Sequence, residues 1–336
     1  MAQITNTFET YDAVGNREEL ADRIYQISPE ETPFTSMIRR KPISSTHPEW
    51  QTDTLATPVT TNNQIEGDEF TYDAISPTTR VGNYSQISWK AITITRTQDK
   101  ISKAGRKSEL AREIAKKGVE LRTDMEVSML SNNASSAGSG NGATNRVSGG
   151  LRAWLSTNDS LGATGASGGF NSGSGVVDAA TNGTQRALTK DLMDNVILSA
   201  YNAGGSPTIG MMSPYAKTVF STFLDDANIV PLRTNASANA KRALIGSAEV
   251  YVSDFGSISM IPNRQMARAG ADVARNMFLI DPKMISLGVY DDIKIEKPSK
   301  TGDAQKRVVL SEYSLCVNNE AAHGVVADIF GLSASS

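Results

Sequence analysis

The chain has 336 residues, 39% apolar, 21% charged and 6% aromatic, with 33 Lys and Arg against 36 Asp and Glu for a net charge of -3. That length accommodates about two domains on a prior of roughly 150 residues each, and the acidic balance argues against a dedicated nucleic-acid binder, whose footprint would be a basic domain. One cysteine, Cys316, excludes an intrachain disulfide, and with only His47 and His323 beside it a closed tetrahedral zinc site cannot be built.

Residues 1–28 are polar, with a short helical hint at Arg17–Tyr25, and read as a mobile or partner-held arm. They show no basic or apolar signal region, no apolar run approaches the ~20 residues of a membrane span, and a reducing cytoplasm is the expected setting. In SPEETPFTSMIRRKP, Ser28 is predicted to cap a helix with Pro29 at its first position and Glu31 three residues after the cap. WQTDTL (50–55) partly alternates, as on a half-buried strand. A Thr-, Asn- and Pro-rich stretch follows, with a turn at Glu66-Gly67-Asp68-Glu69. SQISWKAITITRT is the clearest strand signal. Ile87, Trp89 and Ala91 hold one phase and Ile92 and Ile94 the other, which predicts a bulge or a change of partner layer. Two strand patterns hinged at an acidic turn describe an arm without its own core, only marginally stable in water, so a neighbouring copy is expected to cover it.

Leu110, Ile114, Leu121, Met125 and Met129 then recur at helical spacing. A single helix over Ser102–Leu130 would be about 43 Å long, with Glu113 placed to pair with Lys116 or Lys117 and Gly118 as a candidate bend. The Gly-, Ser- and Asn-rich tracts of 131–187 cannot bury enough apolar area to stay ordered alone and read as surface loops anchored by Leu151, Trp154 and Leu155. LTKDLMDNVILSAYNAGG predicts a helix capped by Thr189 and stopped by Gly204-Gly205. A strand and a helix starting at Ser213-Pro214 follow. IGSAEVYVSDFGSISMIPN reads as strand–turn–strand, NMFLIDP and LGVYDDIKIEKP as strands, SKTGDAQ as a turn, and the remainder as two closing strands. Without regular βαβ alternation the class is α+β.

Chemical motifs are sparse. Gly105-Arg-Lys-Ser lacks the spacing of a phosphate loop, and the glycine tracts at 138–142 and 165–175 lack the flanks of a dinucleotide site. Asp225-Asp226 and Asp291-Asp292 read as solvated turns or caps at element ends rather than metal carboxylates. His323 reads as a neutral structural histidine, His47 as a loop residue without an acid nearby, and Cys316 as a core residue. No nucleophile–base–orienter set is visible, so neither catalysis nor a cofactor is expected. The basic set Lys100, Lys103, Arg106, Lys107, Arg112, Lys116 and Lys117 is interleaved with acids, yet its first members are purely basic. It complements the acidic hinge Glu66, Asp68 and Glu69, and a charge-paired contact of this kind would steer assembly. With Arg80, Lys90, Lys103, Arg106 and Lys107, these three acids are the inter-subunit contact candidates.

The strings TPFTSMIRRK, EWQTDTL, GNYSQISWKAITIT, GGLRAWLSTN, LTKDLMDNVILSAYNAGG, MMSPYAKTVF and VNNEAAHGVVADI, in this order, resemble a major capsid protein family of tailed double-stranded-DNA phages with the Hong Kong 97-type fold. The resemblance covers nearly the whole chain. It implies an N-terminal arm (1–48), an extended β loop (49–100), a peripheral domain with a long spine helix (101–188), an axial domain (189–285) and return strands to the peripheral domain (286–336). It further implies hexamers and pentamers in an icosahedral virion shell, made in the host cytoplasm. Packaged DNA would be contacted non-specifically, scaffolding, portal and decoration proteins are possible partners, and neither a membrane nor a small-molecule substrate is implied. An encapsulin-like compartment shell and a tail-tube subunit are the competing readings; the long helix disfavours the second.

Overall fold

The computed structural model describes residues 28–70, 72–103, 105–223 and 249–333; the helical hint at Arg17–Tyr25 and the Asp225-Asp226 pair lie outside them. In chain order the elements are α1 (Pro33–Met37), β1 (Arg39–Pro42), β2 (Glu49–Thr52), β3 (Thr79–Gly82), β4 (Gln86–Thr95), α2 (Arg96–Lys100), α3 (Glu109–Leu130) and α4 (Leu151–Trp154). Then come β5 (Asp159–Ser160), β6 (Gly169–Asn171), β7 (Val176–Asp178), β8 (Arg186–Ala187), α5 (Lys190–Asn202), β9 (Ile209–Met212) and α6 (Pro214–Thr222). The remainder is β10 (Val250–Ser253), β11 (Gly256–Pro262), α7 (Arg264–Arg268), α8 (Ala271–Ala274), β12 (Met277–Ile280), β13 (Ile285–Glu296), β14 (Ala304–Val317), a 3-10 turn (Glu320–Ala322), β15 (Gly324–Val326) and β16 (Ile329–Gly331).

Two sheets organise these elements. One has the order β1-β13-β14-β4 and lies against α3; the other has the order β10-β11-β9-β12-β15-β5 and carries α5 and α6. The apolar residues divide accordingly. Leu121, Met125, Met129 and Leu130 of α3 share one core with Phe34, Trp154, Leu287 and Tyr313. Met193, Val196 and Ile197 of α5 share another with Val219, Phe220, Ile258, Met277 and Ile329. β12 and β15 pass between the two, since Phe278 and Val325 belong to the first core and Met277 and Val326 to the second.

Several expectations are corrected. The long helix starts at Glu109, not Ser102, and its 22 residues make it about 33 Å long. Gly105 takes φ +74°, a left-handed conformation that glycine adopts freely, and Ser108 caps the helix by accepting the Ala111 N–H. Two signals, a glycine before a Ser-Glu pair, mark this start. Within α3, Glu113 pairs with Arg112 and Lys117 with Glu120 (2.8 and 2.7 Å) rather than with each other. β4 pairs continuously with β14 without a bulge. Its phase change reflects two environments on one regular strand: Ile92 and Ile94 lie under Leu110 of α3, while Ile87 and Trp89 stay exposed on the opposite face. Asp291 and Asp292 sit inside β13 at a register shift, not at an element end. The 131–187 stretch is not all surface loop: Trp154, Leu151, Leu155 and Val177 are fully enclosed and β6–β7 form a hairpin.

α1 begins at Pro33 rather than Pro29, because its cap comes from far along the chain. The buried Glu126 carboxylate on α3 accepts the N–H groups of Phe34 and Thr35 and the Asn263 side-chain amide, each at 2.7 Å. Gln265 donates to the carbonyls of Pro29 and Glu31 (2.9 and 3.1 Å). Residues 29–37 are thereby fastened to both the long helix and α7. His323 is a neutral core residue, as expected: Nδ1 accepts the Asp281 N–H (3.1 Å) and Nε2 faces the Met284 carbonyl. Burial drives its pKa down to about 4. Burial likewise pushes the Cys316 thiol up to about 11.

A histidine whose folded pKa lies below its unfolded value of 6.5 lends its full stability above about pH 6.5 and loses it as pH falls through 4. The difference is about 3 kcal/mol, so denaturant unfolding between pH 7.5 and 3.5 should show a loss of that size that His323→Gln flattens. Glu126→Ala leaves three donors without an acceptor; it should cost about 3 kcal/mol or more and speed amide exchange at Phe34 and Thr35.

Candidate inter-subunit site

The extended loop has a rigid base. β2 and β3 pair in the register Glu49↔Gly82 to Thr52↔Thr79. Trp50 stacks on the buried Trp154 (ring centroids 5.7 Å), which stacks in turn on Phe170 (6.0 Å). Asn83, fully buried, is the strongest clamp. Its amide donates to Leu315 O (2.7 Å), Gly149 O and Ser148 Oγ, and its oxygen accepts the Gly149 N–H (2.8 Å). Those bonds tie the loop's exit to β14 and to the segment before α4. In the sequence Asn83 reads only as part of a chance Asn-Tyr-Ser glycosylation sequon, and nothing there marks it as a clamp. His47 lies against Tyr84 (4.1 Å) and has an acid nearby after all, Glu49 at 3.8 Å.

Beyond that base, none of the described residues of 53–78 belongs to a strand, and all are exposed. The expected pairing of the 50–55 strand with the 85–97 strand is therefore corrected: the first limb pairs only with β3, and β4 belongs to the body of its own copy. Leu55 is 99% exposed, Tyr72 92% and Ile75 96%, with Val59, Ile65 and Phe70 also largely uncovered. Scattered exposed apolar residues are ordinary; a run of six on one segment marks an interaction surface. The segment also carries five acids (Asp53, Glu66, Asp68, Glu69, Asp73) and no Lys or Arg. Glu66, Asp68 and Glu69 sit on a tight turn, closed by the Asp68 N–H to the Ile65 carbonyl (3.1 Å) and by Gly67 at φ +85°.

The basic candidates distribute differently from the sequence expectation. Arg80 pairs with Glu49 in the loop base (3.3 Å), and Lys90 pairs with Asp124 across from β4 to α3. The Lys103 side chain is nearly buried and donates to the Asp99 carbonyl (2.9 Å), while Arg106 pairs with Glu109. These four cations are engaged within their own chain. Lys107 is exposed, as are Lys100 and Lys116, and none of the three makes an ion pair among the described residues. Asp99, another residue that sequence reading missed, accepts the Glu109 N–H (3.1 Å) and the Ser108 hydroxyl and so fixes the start of α3. Residues 96–117 hold Arg96, Lys100, Lys103, Arg106, Lys107, Arg112, Lys116 and Lys117 against Asp99, Glu109 and Glu113, a surplus of five positive charges. A cleft of about 520 Å³ between β4 and α3 opens beside them, walled by Thr93, Thr95, Gln98, Arg106, Glu113 and Lys117.

The described residues hold no cluster of His, Cys, Asp and Glu fit for a metal ion, and no helix among them is long and apolar enough to cross a membrane. The architecture is that of known shell proteins. The chain superposes on a protein of Gordonia phage Cozz with a TM-score of 0.60 at 11% identity, covering 98% of this chain and 97% of that one. It superposes equally on the cyanophage A-1(L) capsid (0.60, 14% identity, 97% and 99% covered). An encapsulin of Synechococcus elongatus gives 0.56 at 9% identity (96% and 95% covered). These likenesses establish the α+β, Hong Kong 97-type capsid fold. In sequence, the chain is 35% identical over 127 residues to the major capsid protein of Escherichia phage Phieco32, a match that spans 38% of this chain and 36% of that protein. The profile of the SU10 major capsid protein family matches residues 3–330. With a match of that extent on the fold just described, the chain belongs to the SU10 major capsid protein family.

Proposed function

We propose that this chain builds the icosahedral head shell of a tailed phage, through hexamers and pentamers, and that the 53–78 loop of each copy seats on the body of the next. The observation that carries this reading is the pairing of a rigid base with six uncovered apolar side chains. Each such residue contributes about 1.5–3 kcal/mol when fully buried, so the loop represents a large reserve of interface energy that its own copy does not use. A contact in which one copy gives a loop and receives another's elsewhere is heterologous, and such contacts form rings when the rotation between copies closes. In this reading the acidic turn of Glu66, Asp68 and Glu69 meets the exposed Lys100, Lys107 and Lys116 and the cleft beside them.

The shell encloses double-stranded DNA without gripping it. The net charge of -3 suits that role, because each Lys or Arg contact with phosphate would add salt-dependent affinity. The chain serves as a structural subunit rather than an enzyme. It is made in the host cytoplasm and works with separate scaffolding, portal and decoration proteins. An encapsulin-like compartment is the second reading; the family match favours the phage shell, and nucleic-acid content of purified particles distinguishes them.

The triple reversal Glu66→Lys, Asp68→Lys, Glu69→Lys should raise the protein concentration needed for assembly about tenfold, which corresponds to about 1.4 kcal/mol per subunit, while thermal unfolding of the dissociated chain stays unchanged. Reversing Lys100, Lys107 and Lys116 to Glu in the same chain should restore assembly, and added salt should shrink both effects. Sedimentation and negative-stain microscopy read the outcome. Normal assembly of the triple variant removes the charge pairing. Normal assembly of Leu55→Ser, Phe70→Ser, Tyr72→Ser removes the loop from the interface altogether.

A further inference from the structure

The turn after the second glycine of GGLRAWL places a full positive charge inside the protein. Arg152 has no exposed surface. Its guanidinium offers five N–H donors and no acceptor, yet none of its three nitrogens has a hydrogen-bond partner among the described residues. Asp159 on β5, Asp328 between β15 and β16, and Arg275 just after α8 all act on its charge, and Arg186 on β8 feels the same Asp328. Most other polar atoms of this group are occupied. Asp328 Oδ2 accepts the Gly162 N–H (2.9 Å), Arg186 Nη2 donates to Ser160 Oγ (2.8 Å), and Arg275 Nη2 donates to Gly183 O (3.1 Å). Arg275 Nε lies 3.4 Å from Asp328 Oδ1, close enough to pair but too bent to hydrogen-bond.

The remainder is lopsided. All three Arg152 nitrogens, Arg186 Nε and Arg275 Nε lack acceptors, while Asp159 Oδ2 and Asp328 Oδ1 are the acceptors of this group without a donor. Three guanidiniums face two carboxylates. Asp272, 4.0 Å from Arg275, is 80% exposed and acts through solvent. Desolvated charge without a partner is among the most costly features an interior can hold, and each buried unsatisfied group calls for an ion or water. Water brings two more donors to a place already short of acceptors, whereas an anion brings only acceptor capacity and cancels the surplus charge. Asp328 adopts φ +61°, rare for a residue other than glycine though tolerated by Asp. Its backbone is held there by the same group of contacts.

We propose that Arg152, Arg186 and Arg275, with Asp328 as the counter-charge that orients Arg275, form a buried site for a small monovalent inorganic anion of the size of chloride. The site lies where the two cores meet: Leu151, Trp154 and Ala327 belong to one, Leu188, Val326 and Ile329 to the other. An anion there ties them together within a single copy, so its effect precedes and does not require assembly.

The test uses the full-length chain, dissociated, with sodium gluconate exchanged for sodium chloride at constant ionic strength. The melting temperature should rise by about 2–4 °C between zero and 0.3 M chloride, as expected for a ligand that binds only the folded state, and Arg152→Met should abolish that response. Should Arg152→Met fail to fold, wild-type crystals grown in bromide decide the matter: an anomalous peak within hydrogen-bond distance of Arg152 supports the site. A melting temperature indifferent to the exchange, an equal chloride response in Arg152→Met, or bromide crystals without a peak there would overturn it.

Discussion

A segment of chain that carries six large apolar side chains and no partner strand depends on one thing: the fixity of its two ends. Here the ends are held by Trp50 on Trp154 and by the buried Asn83 amide, which reaches β14 and the residues before α4. A flexible tether would lose the entropy of ordering the whole loop each time it docked. A clamped base leaves only the tip to be ordered, and preorganisation of that kind raises affinity by lowering cost rather than by adding contacts. The remaining architecture can be understood as the support for this base. β14 is the long strand against which the clamp closes, β4 and β13 flank it, and α3 backs β4 and β14.

The second constraint concerns how a single chain carries strain between its two sheets. Glu126 reaches from the long helix to the first turn of α1 and to Asn263 at the start of α7, a junction made of one carboxylate and three donors. Burial raises the Glu126 pKa in spite of those donors. β12 and β15 carry alternate residues into alternate cores, so neither sheet can shift without disturbing both. A shell subunit that meets neighbours on several sides gains from such internal bracing, because its weak contacts add only when each copy presents them in the same geometry.

Much of this was legible in the residues. Periodic apolar positions gave α5 and α6, the expected Ser213 cap of α6 is made while Thr189 precedes α5 without a side-chain bond to it, and Leu110, Leu121, Met125 and Met129 marked the buried face of α3. Alternation gave β4, β10–β11 and β13. The resemblance supplied the order of parts. What escaped had a physical reason in each case. Local caps were expected at Ser28, but the donors of α1 are satisfied by Glu126, far away in sequence, which no local rule can find. The loop's first limb looked like a strand that should pair with β4, and the competition was decided by β14, whose length offers β4 ten partners in register. Lys103 and Arg106 looked free because Asp99 was passed over and Glu109 was counted as part of a solvated face; on either side of the break at Gly105 each cation pairs with its local acid instead. Asn83 gave no signal beyond its type, since a buried amide cannot be told from a loop amide without knowing what surrounds it.

The central claim is that residues 53–78 are bare on an isolated copy and covered by another in the shell. Amide hydrogen exchange measured on the dissociated chain and on assembled particles tests it directly. Backbone amides of 53–78 should exchange at nearly the unprotected rate in the first and slow by at least about a hundredfold in the second, the order expected when opening costs about 3 kcal/mol. Equal exchange in both states, with protection gained elsewhere, would contradict it.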